Sequence, residues 1–156
     1  MSFGGQTYPA DGNAAMIVTR REQARELSTD NGVQIRILGV GQTRAELAYM
    51  PEAPYGAAHA ALEQANLSFD DMDAIKTHNP FAVNDIVFAR EAGVSLEDMN
   101  NFGCSLIWGH PQAPTGMRLI IELIEELSLR GGGRGLFTGC AAGDTAMALV
   151  LSVESG

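Results

Sequence analysis

The chain has 156 residues, 19 acidic against 10 basic, for a formal charge of −9. That balance excludes a broad basic surface for nucleic acid, and an apolar share of 46% excludes disorder. A chain of this length is enough for one domain, or two very small ones; a single domain of this size buries roughly 70% of its unfolded surface, and no apolar run approaches the ~20 residues of a membrane-spanning helix.

The N-terminus, Met1-Ser2-Phe3-Gly4-Gly5, lacks the basic and apolar regions of a signal peptide. Ala14-Ala15-Met16-Ile17-Val18-Thr19 is apolar and β-branched and reads as a buried strand. Residues 20–27 read as a short charged helix, and Asn31-Gly32 as a turn. Residues 33–40 begin with alternating apolar and polar side chains, the pattern of a strand. Residues 41–53 read as loop. An alanine-rich helix is predicted over 55–65, a short strand over 72–77 and a second helix over 81–92, closed by Gly93. A third helix is predicted over 114–130. Met117, Ile120, Ile121, Ile124 and Leu127 share its apolar face, with Arg118, Glu122, Glu125 and Glu126 on the solvated one. Residues 135–139 and 145–153 read as a closing hairpin whose last strand, almost wholly apolar, belongs in the sheet interior. Strands and helices alternate, so the fold class is α/β: a mixed sheet layered between helices.

Three polar clusters end predicted strands: His78-Asn79-Pro80-Phe81, Gly109-His110-Pro111 and Gly139-Cys140. A lone histidine in such a place is more often structural than catalytic, and a lone cysteine is more often an inert thiol. Together, a thiol and an imidazole supply a nucleophile and a base, or two proton carriers. Glycines around them let backbone N–H groups approach a carbonyl oxygen. No pair among His78, Cys104, His110 and Cys140 has the short spacing of zinc ligands, so no metal is expected. Gly39-Val40-Gly41 lacks the third glycine of a dinucleotide loop. Gly131-Gly132-Gly133 reads as a helix stop, and His59 carries no role. Two cysteines without a disulfide framework point to a reducing, cytoplasmic setting.

Residues 101–116, Asn-Phe-Gly-Cys-Ser-Leu-Ile-Trp-Gly-His-Pro-Gln-Ala-Pro-Thr-Gly, resemble the glycine-rich Gly-His-Pro segment of thiolases. The likeness continues into Gly139-Cys140, where thiolases carry their second active-site cysteine. Asp11-Gly12-Asn13-Ala14-Ala15 is similar to the segment that opens the thiolase C-terminal domain. His78-Asn79-Pro80-Phe81 sits where the family has Asn-Glu-Ala-Phe, or in some branches histidine in place of that asparagine. The four motifs keep the family's order and cover nearly the whole chain.

This resemblance implies a thiolase C-terminal domain over residues 1–156, without the N-terminal half that carries the acylated cysteine. His110 would be the base that deprotonates that cysteine, Cys140 the acid/base at the α-carbon of the second acyl-CoA, and His78 an oxyanion donor. The thiol of Cys140 is expected to be acidified by backbone donors and a nearby imidazolium. Thr7 would meet the pantetheine arm, and Gly103, Gly109, Gly116 and Gly143 would fold the loops around the thioester. Coenzyme A would enter as the substrate thioester, with no cofactor. The expected partners are acyl-CoA and a Cys-bearing half or subunit, in a homo- or hetero-oligomer, with neither nucleic acid nor membrane. Departures at Asn79, Cys104, Ala113 and Ala142 mark a divergent branch. The competing reading is a thiolase-derived binding or assembly subunit without chemistry of its own.

Overall fold

Four strands form one mixed sheet in the computed structural model, which describes residues 2–155. In chain order they are β1 (Val33–Arg44), β2 (Ala74–His78), β3 (Gly132–Ala141) and β4 (Thr145–Ser155). In space they run β1-β4-β3-β2. β4 is antiparallel to both β1 and β3, and β2 is parallel to β3. The closing hairpin and the interior position of residues 145–153 are as the apolar run required.

Five helices accompany the sheet: α1 (Arg21–Leu27), α2 (Ala53–Ala65), α3 (Ala82–Ala92), the single turn α4 (Ser105–Trp108) and α5 (Thr115–Leu129). Side chains alternate along β3 and β4, so the two strands feed two cores. Leu136, Ala146, Ala148 and Val150 face α2, whose Ala53, Ala57, Ala58, Ala61 and Leu62 are buried against them together with Phe88 of α3. Phe137, Leu151 and Val153 face α5 and its Leu119, Leu123 and Leu127. The small residues of α2 bring the helix close to the sheet. A Cβ on Gly41 would lie 2.0 Å from the Ala57 carbonyl oxygen, so glycine is what lets β1 pass beneath the helix. The Gly39-Val40-Gly41 run is thus a packing device.

Three expectations are corrected. Residues 14–19 form no strand: no neighbour pairs with them among the described residues, and Ile17 and Val18 are exposed. Apolar character signals a wish for burial, but a strand also needs a partner for its N–H and C=O groups. Residues 41–53 are not all loop, because β1 continues to Arg44 and α2 starts at Ala53. The buried stripe of α5 is Thr115, Leu119, Leu123, Glu126 and Leu127, while Met117 is exposed. Glu126 turns inward because Lys76 of β2 is fully buried opposite it, with Nζ 3.8 Å from Oε2. A buried ammonium without a counter-charge would be strongly disfavoured.

Candidate active site

β2 and β3 are parallel, so their C-terminal ends lie side by side, with His78 in register with Gly139. His78 closes β2, and Pro80 delays the next helix until Ala82. The imidazole leaves the sheet on the α5 side, where its Cβ occupies the space beside Gly139. A histidine there fits only because position 139 has no side chain: a Cβ on Gly139 would stand 2.8 Å from that of His78.

His110 arrives from the loop after α4. Its backbone N–H donates to the Tyr8 carbonyl at 2.8 Å, and Pro9 bridges to it as a single strand-like contact. Gly109 makes this approach possible. Its φ of +85° is left-handed, and a Cβ would lie 2.7 Å from that of Ala10. The two imidazoles meet with ring centroids 4.4 Å apart. Each is held by a buried hydroxyl: His78 Nδ1 lies 2.8 Å from Ser105 Oγ, and His110 Nδ1 lies 2.8 Å from Thr115 Oγ1. Each ring therefore keeps Nε2 free of any hydrogen-bond partner among the described residues. Burial, and next the neighbouring His110, pushes His78 down to about 4, and burial also lowers His110. Both rings are neutral at neutral pH.

Cys140 is the residue after Gly139, at the same end of the sheet. Alternation turns its side chain to the other face, toward α3, where Asn84 Nδ2 lies 3.6 Å from Sγ. The sheet end thus brings the three predicted residues together by backbone, but the histidine pair and the thiol leave it on opposite faces. The expected acidification is corrected: burial pushes the Cys140 thiol up to about 11, partly offset by hydrogen bonds from its own backbone N–H and from Asn84. The histidines are neutral, so no imidazolium acts on it. Cys104 is a buried free thiol at the start of α4.

Thr7 donates its hydroxyl to the Ser105 carbonyl at 2.5 Å, tying the N-terminal segment to α4. Gly103 leads into α4 against the Trp108 indole, Gly116 lies in the first turn of α5 against Phe137, and Gly143 sits in the β3–β4 turn. Sequence reasoning missed the supporting polar groups. Asp85 accepts from Thr77 Oγ1 at 2.5 Å, Asn79 Nδ2 at 2.5 Å and Asn100 Nδ2 at 3.2 Å, and burial raises its carboxyl. Nothing in one sequence marks such a network. Thr115, five residues after His110, and Ser105, five before it, were legible only as hydroxyls near a motif. Among the described residues, no three of His, Cys, Asp and Glu are grouped to hold a metal ion.

The family description "Thiolase, C-terminal domain" matches residues 32–153, which take in all four strands except the last residues of β4. The chain belongs to the thiolase family. It is 34% identical to a 3-ketoacyl-CoA thiolase of Aliivibrio fischeri over 171 aligned positions, covering 99% of this chain and 38% of that protein. An acetyl-CoA acetyltransferase of Syntrophomonas wolfei is 32% identical over 90% of this chain. The crystal structure of the Bacillus anthracis acetyl-CoA acetyltransferase superposes with a TM-score of 0.77 at 29% identity, over 85% of this chain and 33% of that one. The chain thus spans about two fifths of the length of the thiolase relatives it matches.

Proposed function

We propose that this chain supplies the C-terminal part of an acyl-CoA acyltransferase site, one that cleaves 3-ketoacyl-CoA thiolytically or runs the reverse condensation, and that a partner half supplies the nucleophilic cysteine. The observation that carries this reading is the pair of neutral imidazoles, tied at Nδ1 and open at Nε2, at the sheet end that also holds Gly139-Cys140. His110 takes the proton of the partner's cysteine at Nε2. This needs the tautomer in which Nδ1–H donates to Thr115, a hydroxyl that can accept as well as donate. His78 donates from Nε2–H to the thioester oxygen as it becomes negative, with Ser105 donating to Nδ1. Cys140 exchanges the proton of the α-carbon.

Two features support a partner half. Tyr8, Phe102, Ile107 and Trp108 stand exposed around the loops that carry the site, an apolar surround that a second domain would cover. The raised thiol also suits a site that is completed only on assembly, since further donors are needed before Cys140 ionises readily at neutral pH.

Mixing the chain with a Cys-bearing N-terminal thiolase half, and following thiolysis of acetoacetyl-CoA, tests this. The chain alone should turn nothing over, and the mixture should be active. Cys140→Ala should remove condensation while leaving acyl transfer to the partner cysteine measurable, and His110→Ala should slow acylation itself. Near-parental rates in both variants would overturn the assignment and leave the non-catalytic subunit as the better reading.

A further inference from the structure

Asn84 of α3 is the polar group in contact with the Cys140 thiol, and no motif marks it. It is buried to 2% exposure, and its Nδ2 lies 3.6 Å from Cys140 Sγ and 3.6 Å from Met50 Sδ. Its Oδ1 is buried without a partner among the described residues. A thioether sulfur can only accept, so Met50 fixes which end of the amide faces the two sulfurs. Turning the amide over would place a carbonyl oxygen against Met50 Sδ and leave both N–H groups pointing away. Nδ2 has two protons to donate, and two sulfurs lie within its reach.

We propose that Asn84 is a positioning residue that holds Cys140 Sγ at the sheet end and favours its anionic form by donating an N–H to it. This deepens the reading of Cys140 as a proton carrier and rests on it for its catalytic meaning. An N–H donor within reach of sulfur stabilises the thiolate more than the thiol, because the hydrogen bond to an ion is the stronger one. The same donor orients Sγ, which has no other side-chain hydrogen-bond partner among the described residues. At this end of the sheet the elements around Cys140 carry Asp85, Arg90 and Glu91 on α3, Glu52 and Tyr55 at the start of α2, Arg44 ending β1, Asp144 in the β3–β4 turn and His78 ending β2. None of them is among the causes that set the thiol, which are burial, its own backbone N–H and Asn84. The Asp85 carboxylate is turned to Thr77, Asn79 and Asn100 instead.

The test uses the chain as it is. Alkylation of Cys140 by iodoacetamide is followed by peptide mass spectrometry across pH, with buried Cys104 as the internal reference and circular dichroism as the check of folding. In Asn84→Leu the branching at Cγ stays, in a somewhat larger side chain, and the donor goes. A tenfold loss of thiolate at pH 8 is expected, partly offset by the greater nucleophilicity of the more basic sulfur, so alkylation should slow about threefold. Asn84→Asp keeps the shape and sets a carboxylate against the sulfur, and should slow it more. Asn84→Gln, which retains the amide, should recover part of the parental profile. A folded Asn84→Leu or Asn84→Asp chain with the parental alkylation profile would overturn the proposal. The outcome is separate from the catalytic reading: a shifted profile upholds the role of Asn84 even if Cys140→Ala leaves the assembled enzyme active.

Discussion

Acid should weaken this fold through His78 before it affects most of its carboxylates. The imidazole is 8% exposed, and burial together with His110 pushes it down to about 4 from 6.5. Between those two values the unfolded chain binds a proton that the native state refuses. Native stability therefore falls as the pH drops through that window, and is retained above it. From pH 7 to pH 5 the loss assigned to His78 is about 2 kcal/mol, or about 4–8 °C in melting temperature for a chain of this size. The perturbation that isolates it is His78→Gln, which keeps a polar partner for Ser105 but does not titrate. Urea denaturation of parent and variant at both pH values gives two slopes. His110, lowered by burial, adds to the acid loss in both proteins; Asp85, whose carboxyl is raised by burial, acts in the opposite direction in both. The difference between the slopes therefore belongs to His78. The parent should lose about 2 kcal/mol more than His78→Gln, whatever the variant costs at pH 7. Equal losses, within about 0.5 kcal/mol, would refute the picture of a buried neutral imidazole and point to two rings sharing a proton.

Gly41→Ala should cost about 3 kcal/mol or prevent folding. Its Cβ would lie 2.0 Å from the Ala57 carbonyl oxygen and 2.5 Å from the Ala61 nitrogen, both helix backbone that cannot move aside alone. A loss under about 1 kcal/mol in urea denaturation would show that α2 can lift from β1 easily. Asp85→Asn should cost about 1–2 kcal/mol at pH 7: the amide oxygen still accepts from Asn79 and Asn100 and the Thr77 hydroxyl can turn to accept, but the charge that strengthens these hydrogen bonds is gone. An unchanged midpoint would mean that the carboxyl is already protonated in the native protein.

From residue 33 onward most of the strand and helix order was legible, because those elements carry their own period or their own stop. Gly93 in the left-handed region ends α3, and the apolar run of β4 declares an interior strand. The site motifs were legible because glycine, histidine and cysteine are conspicuous between apolar runs, although Gly109-His110-Pro111 follows the helical turn α4 and not the strand expected before it. Which face each side chain takes was not, because that is decided by pairing between distant segments. His78 is opposite Gly139 only in the parallel register of β2 and β3, and this register turns Cys140 to α3 and into contact with Asn84. The sequence offers no periodicity for that choice. The face of α5 was misjudged for a related reason. Two apolar stripes compete along it, and the winner is set by Lys76, a residue on a strand thirty-nine positions before the helix begins.

Lys76 also explains why so much charge is buried beside the site. Its ammonium reaches Glu126 and donates to the Asn101 carbonyl oxygen, and Asn101 Nδ2 donates in turn to Glu126 Oε1 at 3.1 Å. One residue on, the Thr77 backbone N–H donates to Asn100 Oδ1 at 2.8 Å, and one residue back, Ile75 bridges to Met99. Segment 99–101 is thereby fixed along the outer edge of β2. The chain then turns through Phe102 and Gly103, both at positive φ, and enters α4. Only with that turn in place does Ser105 arrive 2.8 Å from His78, and only with α4 in place does Gly109 deliver His110 to the same imidazole. A hydrophobic pair in place of Lys76 and Glu126 could pack as well and would spare the desolvation of two ions. It would offer nothing to the Asn101 carbonyl, and the segment that sets the distance between the two histidines would lose its anchor.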